Sequence, residues 1–363
     1  MAIKVAQAGV GVRGRFHLNG LLGNKDKYEL VGLCDINEEK LRNVALDYGL
    51  DIPLYIDAEC MLKETKPDLF IFVTMPEVRS SMVDLAAKYG IKNLSFEKPM
   101  AVNLREARQI TETCRANNMK AVVCHQQKYS QQMQEIHRLV QNGEIGAIEK
   151  IHVETQSWLA QLGTHFLDYA LWINGGKARV QSVVGHAHGN WILSDSHPSP
   201  DYILGEAKLE DGVRVYIECG YFSQRHHYVP RFGYDNRLTV YGTHGYAWAE
   251  TDGKWAVFSR NTGGEIISGD CPVWDEQEPH LQIPYYSDLA GWIFNKTESH
   301  PCNIESSYHG YEVLEGLCLS ALDNTRVDLP LKKLDYEPVF DRMKKTFVDV
   351  NSPRRRTEIE ILG

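Results

Sequence analysis

Four groups of residues in this 363-residue chain have the types and spacing to do chemistry. The first is Gly9-Val10-Gly11-Val12-Arg13-Gly14, a string of the form GxGxxG. It follows an apolar run, Ile3–Ala8, and opens a segment with helical spacing, the context in which such a string holds a pyrophosphate. Gly9 permits the tight turn, Gly11 lets the backbone approach the phosphates, and Gly14 lets the helix pack against the strand. The helix N-terminus adds unpaired N–H groups and the positive end of its dipole. The second group is Asp35, which lies 21 residues after Gly14 at the end of the next apolar run. A carboxylate there accepts hydrogen bonds from both ribose hydroxyls and repels a 2′-phosphate. No arginine follows in Ile36-Asn37-Glu38-Glu39, so the pattern predicts NAD over NADP. The competing reading has Asp35 capping the next helix.

The third group is Glu97-Lys98-Pro99, after the fifth strand-like run. In an open parallel sheet, ligands bind beyond the carboxyl ends of the strands, so a lysine there sits at the cofactor crevice. Beside a positive nicotinamide its ammonium is disfavoured, which makes its pKa tunable. It could then hydrogen-bond a reacting oxygen; the plainer alternative is a surface lysine. The fourth group is His165 and Asp168, which share a face at i and i+3 if the segment is helical. Histidine is the natural base where an alcohol must lose a proton near neutral pH. Asp168 could orient the imidazole or hold a substrate hydroxyl, and the bland reading of His165 is a helix-cap or core histidine.

Alternating short elements must position these groups. Strand-like runs at Ile3–Ala8, Tyr28–Cys34, Leu69–Val73, Asn93–Phe96 and Lys120–Cys124 alternate with helical spacing at Glu38–Tyr48, Val78–Lys88 and Leu104–Asn117. That alternation predicts an α/β domain, a doubly wound parallel sheet with helices on both faces, over residues 1–124. Beyond a helix at Gln131–Asn142 the pattern changes. Alternating runs at Ile148–Ser157, Val180–His188, Tyr202–Leu209, Val213–Tyr221 and Arg237–Tyr241 follow, some joined by tight turns at Glu210–Gly212 and Thr243–Gly245. Helical spacing returns at Tyr308–Leu322. The expectation is a second α/β domain over residues 125–331 with a large open, mostly antiparallel sheet. Residues 332–363 form a C-terminal extension.

Composition narrows the partners. The chain is 43% hydrophobic and 24% charged, with a formal net charge of −9, which argues against a nucleic-acid partner. Arg354-Arg355-Arg356 reads as a solvated tail or subunit contact rather than an anion site. None of the eight cysteines forms a CxxC pair, and several sit in apolar runs, as Cys34 and Cys124 do. Reduced core thiols, no signal-peptide pattern and no apolar stretch of membrane length together predict a cytoplasmic protein without a membrane partner. His226-His227 would point to opposite faces of a strand, and His186 and His188 lack a clear third ligand, so no metal is expected.

The strings GVGVRGRFH, FEKP, GTHFLDY and ALDNTRVDLPL stand in the order and spacing of the Gfo/Idh/MocA oxidoreductases, which the chain resembles over roughly residues 3–331. The resemblance implies a Rossmann domain followed by an α/β domain with an open sheet, Lys98 as catalytic lysine, His165 as catalytic histidine, and dimers or tetramers built on that sheet. Three positions depart from the family's pattern. Gln161 stands where an aspartate often precedes the histidine, and Arg79 stands where a histidine is common. His125-Gln126-Gln127-Lys128-Tyr129 replaces an Asn/Arg/Phe pattern, so Lys128 and Tyr129 are candidate substrate contacts. So are Trp158 and Gln161. Of the aromatics Trp158, Trp191, Tyr202, Tyr221, Tyr228 and Trp248, about a third are expected in the site and the rest in the core or subunit contacts. The segment that carries Arg225, His226, His227 and Arg231 reads either as a loop lining the site or as an exposed turn. The cofactor set comprises Gly9, Gly11, Val12, Arg13, Gly14, Asp35, Glu97 and Lys98. The expected activity is NAD-dependent oxidation or reduction of a secondary hydroxyl on a sugar, polyol or glycoside, with a pyranoside C3 hydroxyl as first choice. The alternatives are transient-redox glycoside cleavage and a non-catalytic sensor of sugar or cofactor.

Overall fold

A computed structural model describes residues 2–194, 198–226, 233–332, 334 and 337–348. The chain divides into two compact units, residues 1–129 with 277–308, and residues 130–276 with 309–363. Segment 277–308, which the sequence reading assigns to the second domain, belongs to the first.

The first unit begins with β1 (Ile3–Ala8), α1 (Val12–Leu22), β2 (Tyr28–Cys34), α2 (Glu38–Asp47), β3 (Leu54–Tyr55), α3 (Ala58–Thr65) and β4 (Leu69–Phe72). It continues with α4 (Arg79–Lys88), β5 (Asn93–Glu97), α5 (Leu104–Ala116) and β6 (Lys120–Cys124). The strands form one parallel sheet in the order β3-β2-β1-β4-β5-β6. The order reverses at β1, and the crevice outside the carboxyl ends of β1 and β4 is where such sheets bind ligands. The strands are buried on both faces, which is why they read as continuous apolar runs rather than alternating ones. Side chains of Asn37, Asp57 and Asn103 cap α2, α3 and α5 by accepting a backbone N–H from the first turn. At α1 the cap residue is Gly11 and no side chain does so.

The second unit holds α6 (Gln131–Gln141), β7 (Ile148–Thr155), α7 (Thr164–Ile173), β8 (Val180–His188), β9 (Tyr202–Leu209) and β10 (Arg214–Gly220). After these come β11 (Asn236–Gly242), β12 (Gly245–Glu250), β13 (Lys254–Ser259) and β14 (Ile266–Asp270). Helix α8 (Trp274–Gln277) ends at the border of this unit, α9 (Gln282–Ile293) and the first turn of α10 (Ile304–Asp323) belong to the first unit, and the rest of α10, β15 (Val327–Asp328) and α11 (Val339–Thr346) return to the second. The nine strands of the second sheet run β14-β13-β12-β11-β7-β10-β9-β8-β15. Every pairing is antiparallel except β7 with β10. One face buries Ile151, Val153, Val215, Ile217, Leu238 and Val240 completely. On the other, Lys150, His152, Tyr216, Glu218, Arg237 and Trp248 stay at least partly exposed.

Six of the eight cysteines are buried, and all eight are unpaired. No helix among the described residues is long and apolar enough to cross a membrane. The Arg354–Arg356 cluster and the residues His227, Tyr228 and Arg231 lie outside the described residues.

Candidate active site

In the first unit the chain leaves β1 through Gly9, whose φ of +90° lies in the left-handed region. A Cβ on Gly9 would stand 2.3 Å from the Val73 carbonyl oxygen, and one on Gly14 would stand 2.3 Å from the carbonyl oxygen of Gly9. Both positions therefore admit only glycine. Gly11 is different, because nothing lies within 4 Å of where its Cβ would be. Space is open over the backbone there, at the uncapped N-terminus of α1. Gln7, fully buried in β1, donates from Nε2 to the carbonyls of Gly9 (3.0 Å) and Gly14 (2.9 Å) and so clamps the turn. The only sign of this in the sequence is a polar residue inside an apolar strand.

Asp35 sits at the end of β2, half-buried. Its Oδ2 accepts from the Val10 N–H at 2.9 Å and its Oδ1 from the Asn37 N–H at 2.9 Å. The cap of α2 is Asn37, whose Oδ1 accepts from the Lys40 N–H at 2.8 Å. The capping alternative for Asp35 therefore fails. The carboxylate is fastened to the glycine turn, and each oxygen keeps acceptor capacity.

Glu97 ends β5, and its neighbours explain its charge. Its Oε1 lies 3.1 Å from His17 Nε2 and 3.4 Å from Arg13 Nε. Burial works against a carboxylate here, but Arg13, His17 and Lys98 outweigh it and hold the group well below the usual carboxylate range. Arg13 also donates to Glu278 at 2.5 Å, so the guanidinium offered for the cofactor is spent on two carboxylates of its own unit. What the Arg13 position offers a phosphate is its place at the start of α1. Val12 is exposed beside it. His17 in turn lies 2.5 Å from the Tyr286 hydroxyl through Nδ1. Lys98, half-buried at the strand end, has its pKa lowered, chiefly by burial, with Arg13 and Arg79 adding repulsion and Glu97 opposing both. Arg79 is 3% exposed and donates to the Thr74 carbonyl at 2.8 Å. His17 ends the string GVGVRGRFH, but nothing in the sequence gives it or Glu278 a role, because both act across long sequence separations.

The two candidates of the His125–Tyr129 stretch serve their own unit. Lys128 is 1% exposed and donates to the Pro301 carbonyl at 2.7 Å. The Tyr129 hydroxyl donates to Asp288 Oδ2 at 2.9 Å.

In the second unit β7 runs into Trp158, a single wide turn over Leu159–Gly163, and then α7. The N–H groups of Gln161, Leu162 and Gly163 all point to the Trp158 carbonyl. Such wide turns recur at functional sites. His165 opens α7 and is 2% exposed, and its Nδ1 lies 2.7 Å from the Tyr169 hydroxyl one turn on. Asp168 is 2% exposed on the same helix. Tyr169 is a partner of His165 that the sequence reading did not single out, although its i+4 spacing was the available signal. Gln161 Oε1 accepts from the Ser157 hydroxyl at 3.0 Å. Trp158 packs edge-on against Tyr221, with ring centroids 4.6 Å apart, and Trp191 stacks on the same tyrosine with centroids 5.7 Å apart. Of the wider aromatic set, these three gather around α7's approach. Tyr202 and Trp248 lie on the sheet.

Comparison with known proteins places these halves in context. Residues 3–125 match the profile described as an oxidoreductase family with an NAD-binding Rossmann fold. Residues 133–248 match the GFO/IDH/MocA C-terminal domain. The D-apiose dehydrogenase of Paraburkholderia graminis is 26% identical over 61% of this chain, a match that spans 61% of that protein. An inositol 2-dehydrogenase of Burkholderia vietnamiensis is 24% identical over 68% of this chain and 74% of its own length. Among solved structures, a levoglucosan dehydrogenase in complex with NADH and levoglucosan superposes with a TM-score of 0.78 at 15% identity, covering 91% of this chain and 100% of that one. At that identity the likeness is one of fold.

Proposed function

The chain belongs to the GFO/IDH/MocA oxidoreductase family, with an NAD-binding Rossmann domain, and from that premise we propose that it moves a hydride between NAD and a secondary hydroxyl of a sugar, polyol or glycoside. The observation that carries this reading is the glycine turn. Gly9 and Gly14 admit no side chain, α1 is uncapped, and the space over Gly11 is clear. That is the shape a pyrophosphate requires, and Asp35 stands beside it with acceptor capacity for ribose hydroxyls. Bound there, the nicotinamide ring supplies the hydride acceptor or donor.

The remaining chemistry falls to side chains. A secondary alcohol loses hydride only as its proton departs, so a base and a partner for the developing oxyanion are needed. We assign His165 as the base, with Tyr169 at Nδ1 fixing its tautomer, and Asp168 as its companion on α7. Lys98 is assigned as the cation that hydrogen-bonds the reacting oxygen. Its lowered pKa brings it nearer to sharing a proton at working pH. Trp158 and Gln161 offer an aromatic face and an amide to a sugar, and Lys128 and Tyr129 hold the loop after β6 in shape. The two relatives named for apiose and inositol act, by their names, on polyhydroxylated molecules. That supports the substrate class.

The specific substrate proposed is a pyranoside oxidised at C3 to a 3-oxo-glycoside. The test is turnover with NAD over a panel of pyranosides, free sugars and polyols, followed by NADH absorbance and product mass. NADH formed in step with a product two hydrogens lighter is the expected result. Release of free sugar without net NADH would replace net oxidation by a cycle of oxidation, elimination and hydride return. No reaction with any member of the panel would remove the proposal.

A further inference from the structure

The sheet of the second unit carries a group of side chains that hydride transfer does not use. Strands β7 and β10 run parallel, with His152 opposite Tyr216 and Glu154 opposite Glu218. Side chains alternate along a strand, so His152 and Glu154 share one face, and Glu218 joins them across the pair. One ligand atom from each of His152, Glu154 and Glu218 lies within 4.8 Å of the others. Small side-chain rotations would bring such atoms to the roughly 2.0–2.2 Å ligand bonds of a transition-metal ion.

A fourth group reaches the cluster from the chain after β10. The His226 side chain is 4% exposed, and its Nε2 stands 3.1 Å from Glu154 Oε2. That contact lies outside hydrogen-bond geometry, and Nε2 makes no hydrogen bond. His226 thus reaches Glu154 as a close polar contact, with no other partner at Nε2. The surrounding polar groups are arranged as supports. The Tyr202 hydroxyl donates to Glu218 Oε1 at 2.9 Å, which fixes that carboxylate's plane. Among the neighbouring cations, Arg237, opposite Glu154 in the register, bonds Glu250 through Nε at 2.9 Å, and Lys150 lies 4.5 Å over the Tyr241 ring. His152, Glu154 and Glu218 thus converge, with His226 beside Glu154, and a divalent cation would balance the two carboxylates.

We propose that His152, Glu154, Glu218 and His226 bind one divalent transition-metal ion of the zinc class. Imidazole donors select such an ion over magnesium or calcium, and four protein ligands make a closed site, structural in kind. It would pin His226 to the parallel strands β7 and β10. The sequence reading excluded a metal because it looked for histidines sharing one strand. These ligands come from two strands and the chain beyond them, a set that only the β7–β10 pairing brings together.

The test uses the full chain, stripped with a chelator and dialysed against Zn2+, with bound metal measured. About one zinc per chain and a raised thermal midpoint are expected. His152→Ala and Glu218→Gln should each weaken zinc binding about tenfold or more, whereas His186→Ala, an exposed histidine on β8, should leave it unchanged. Glu218→Gln keeps the side chain's shape, and a cooperative melt together with parental NAD affinity verifies its fold. Failure of the parent chain to retain zinc would overturn the proposal, as would a folded Glu218→Gln variant that binds zinc as tightly as the parent. Because NAD turnover is read separately, loss of the metal site leaves the dehydrogenase reading untouched.

Discussion

At Asp35 the carboxylate does two things at once. It secures the Val10 amide, and in the proposed cofactor site its negative charge would repel a 2′-phosphate. Asp35→Ala should therefore narrow the preference for NAD over NADP and loosen the turn. Calorimetric titration of both cofactors is the measurement, and equal affinities in the parent chain would contradict the assignment. At the proposed reacting centre, His165→Ala and Lys98→Ala should each lower turnover by about 10²–10⁴-fold, the usual worth of a positioned base or its partner. NAD affinity should change little, since neither residue belongs to the glycine turn or the ribose carboxylate. Gln161 sharpens the comparison. Its amide accepts from Ser157, so Gln161→Ala should cost less than His165→Ala if the amide only shapes the turn before α7, and as much if it sets the imidazole. Full activity in folded Lys98 and His165 variants would place the chemistry elsewhere.

Among the elements, segment 277–308 is braced internally by His300, while Tyr28, Asn24 and Lys128 bond its backbone to the rest of the first unit. The His300 ring is 1% exposed; Nε2 donates to the Tyr285 carbonyl at 3.1 Å, and Nδ1 accepts from the Cys302 N–H at 3.0 Å. Burial, with Lys128 adding repulsion, lowers its pKa from 6.5 to about 3, against the pull of the Tyr285 carbonyl. The folded chain thus keeps His300 neutral over a range in which the unfolded chain protonates it. Stability should fall as pH drops from about 6.5 toward 3, by at most about 1.4 kcal/mol per unit from this group. His300→Gln should flatten that slope in urea melts across the range, and an unchanged slope would refute the assignment. The sequence revealed the elements unevenly. The central strands and helices of the first unit were legible within a residue or two, because β1, β2 and β6 are apolar runs bounded by turns. Helix α9 was not, because Pro284 interrupts its pattern, although a proline in a first turn forfeits no hydrogen bond the helix needs. The two-residue strands β3 and β15 carry no period to detect. The same contrast holds at the site. The glycines and Asp35 form a local string, whereas Gln7, His17 and Tyr286 matter through contacts that no local pattern encodes.

For the whole molecule, the second sheet raises the question of what covers its outer face. Val184, Leu204 and Phe222 are 39%, 40% and 44% exposed there or beside it, among half-buried Tyr216, Tyr246 and Trp248. Exposed apolar groups on so broad a sheet favour burial against another copy. A homo-oligomer is therefore expected, and Leu204→Lys should shift it toward monomer in light scattering at micromolar concentration. A parent chain that is already monomeric there would contradict this. The division of the chain has a separate consequence for how the protein is made. The cluster that joins Ile3, Val5, Leu21, Tyr28 and Val122 is completed by Tyr285, Tyr286, Leu289, Ala290 and Cys302. Everything from 130 to 276 must therefore leave the ribosome before the cofactor-binding unit can close its core. At usual elongation rates that interval is about ten to thirty seconds. Until then the nascent N-terminal unit lacks the α9 side chains that complete its core, and the apolar surface they will cover stays open to solvent.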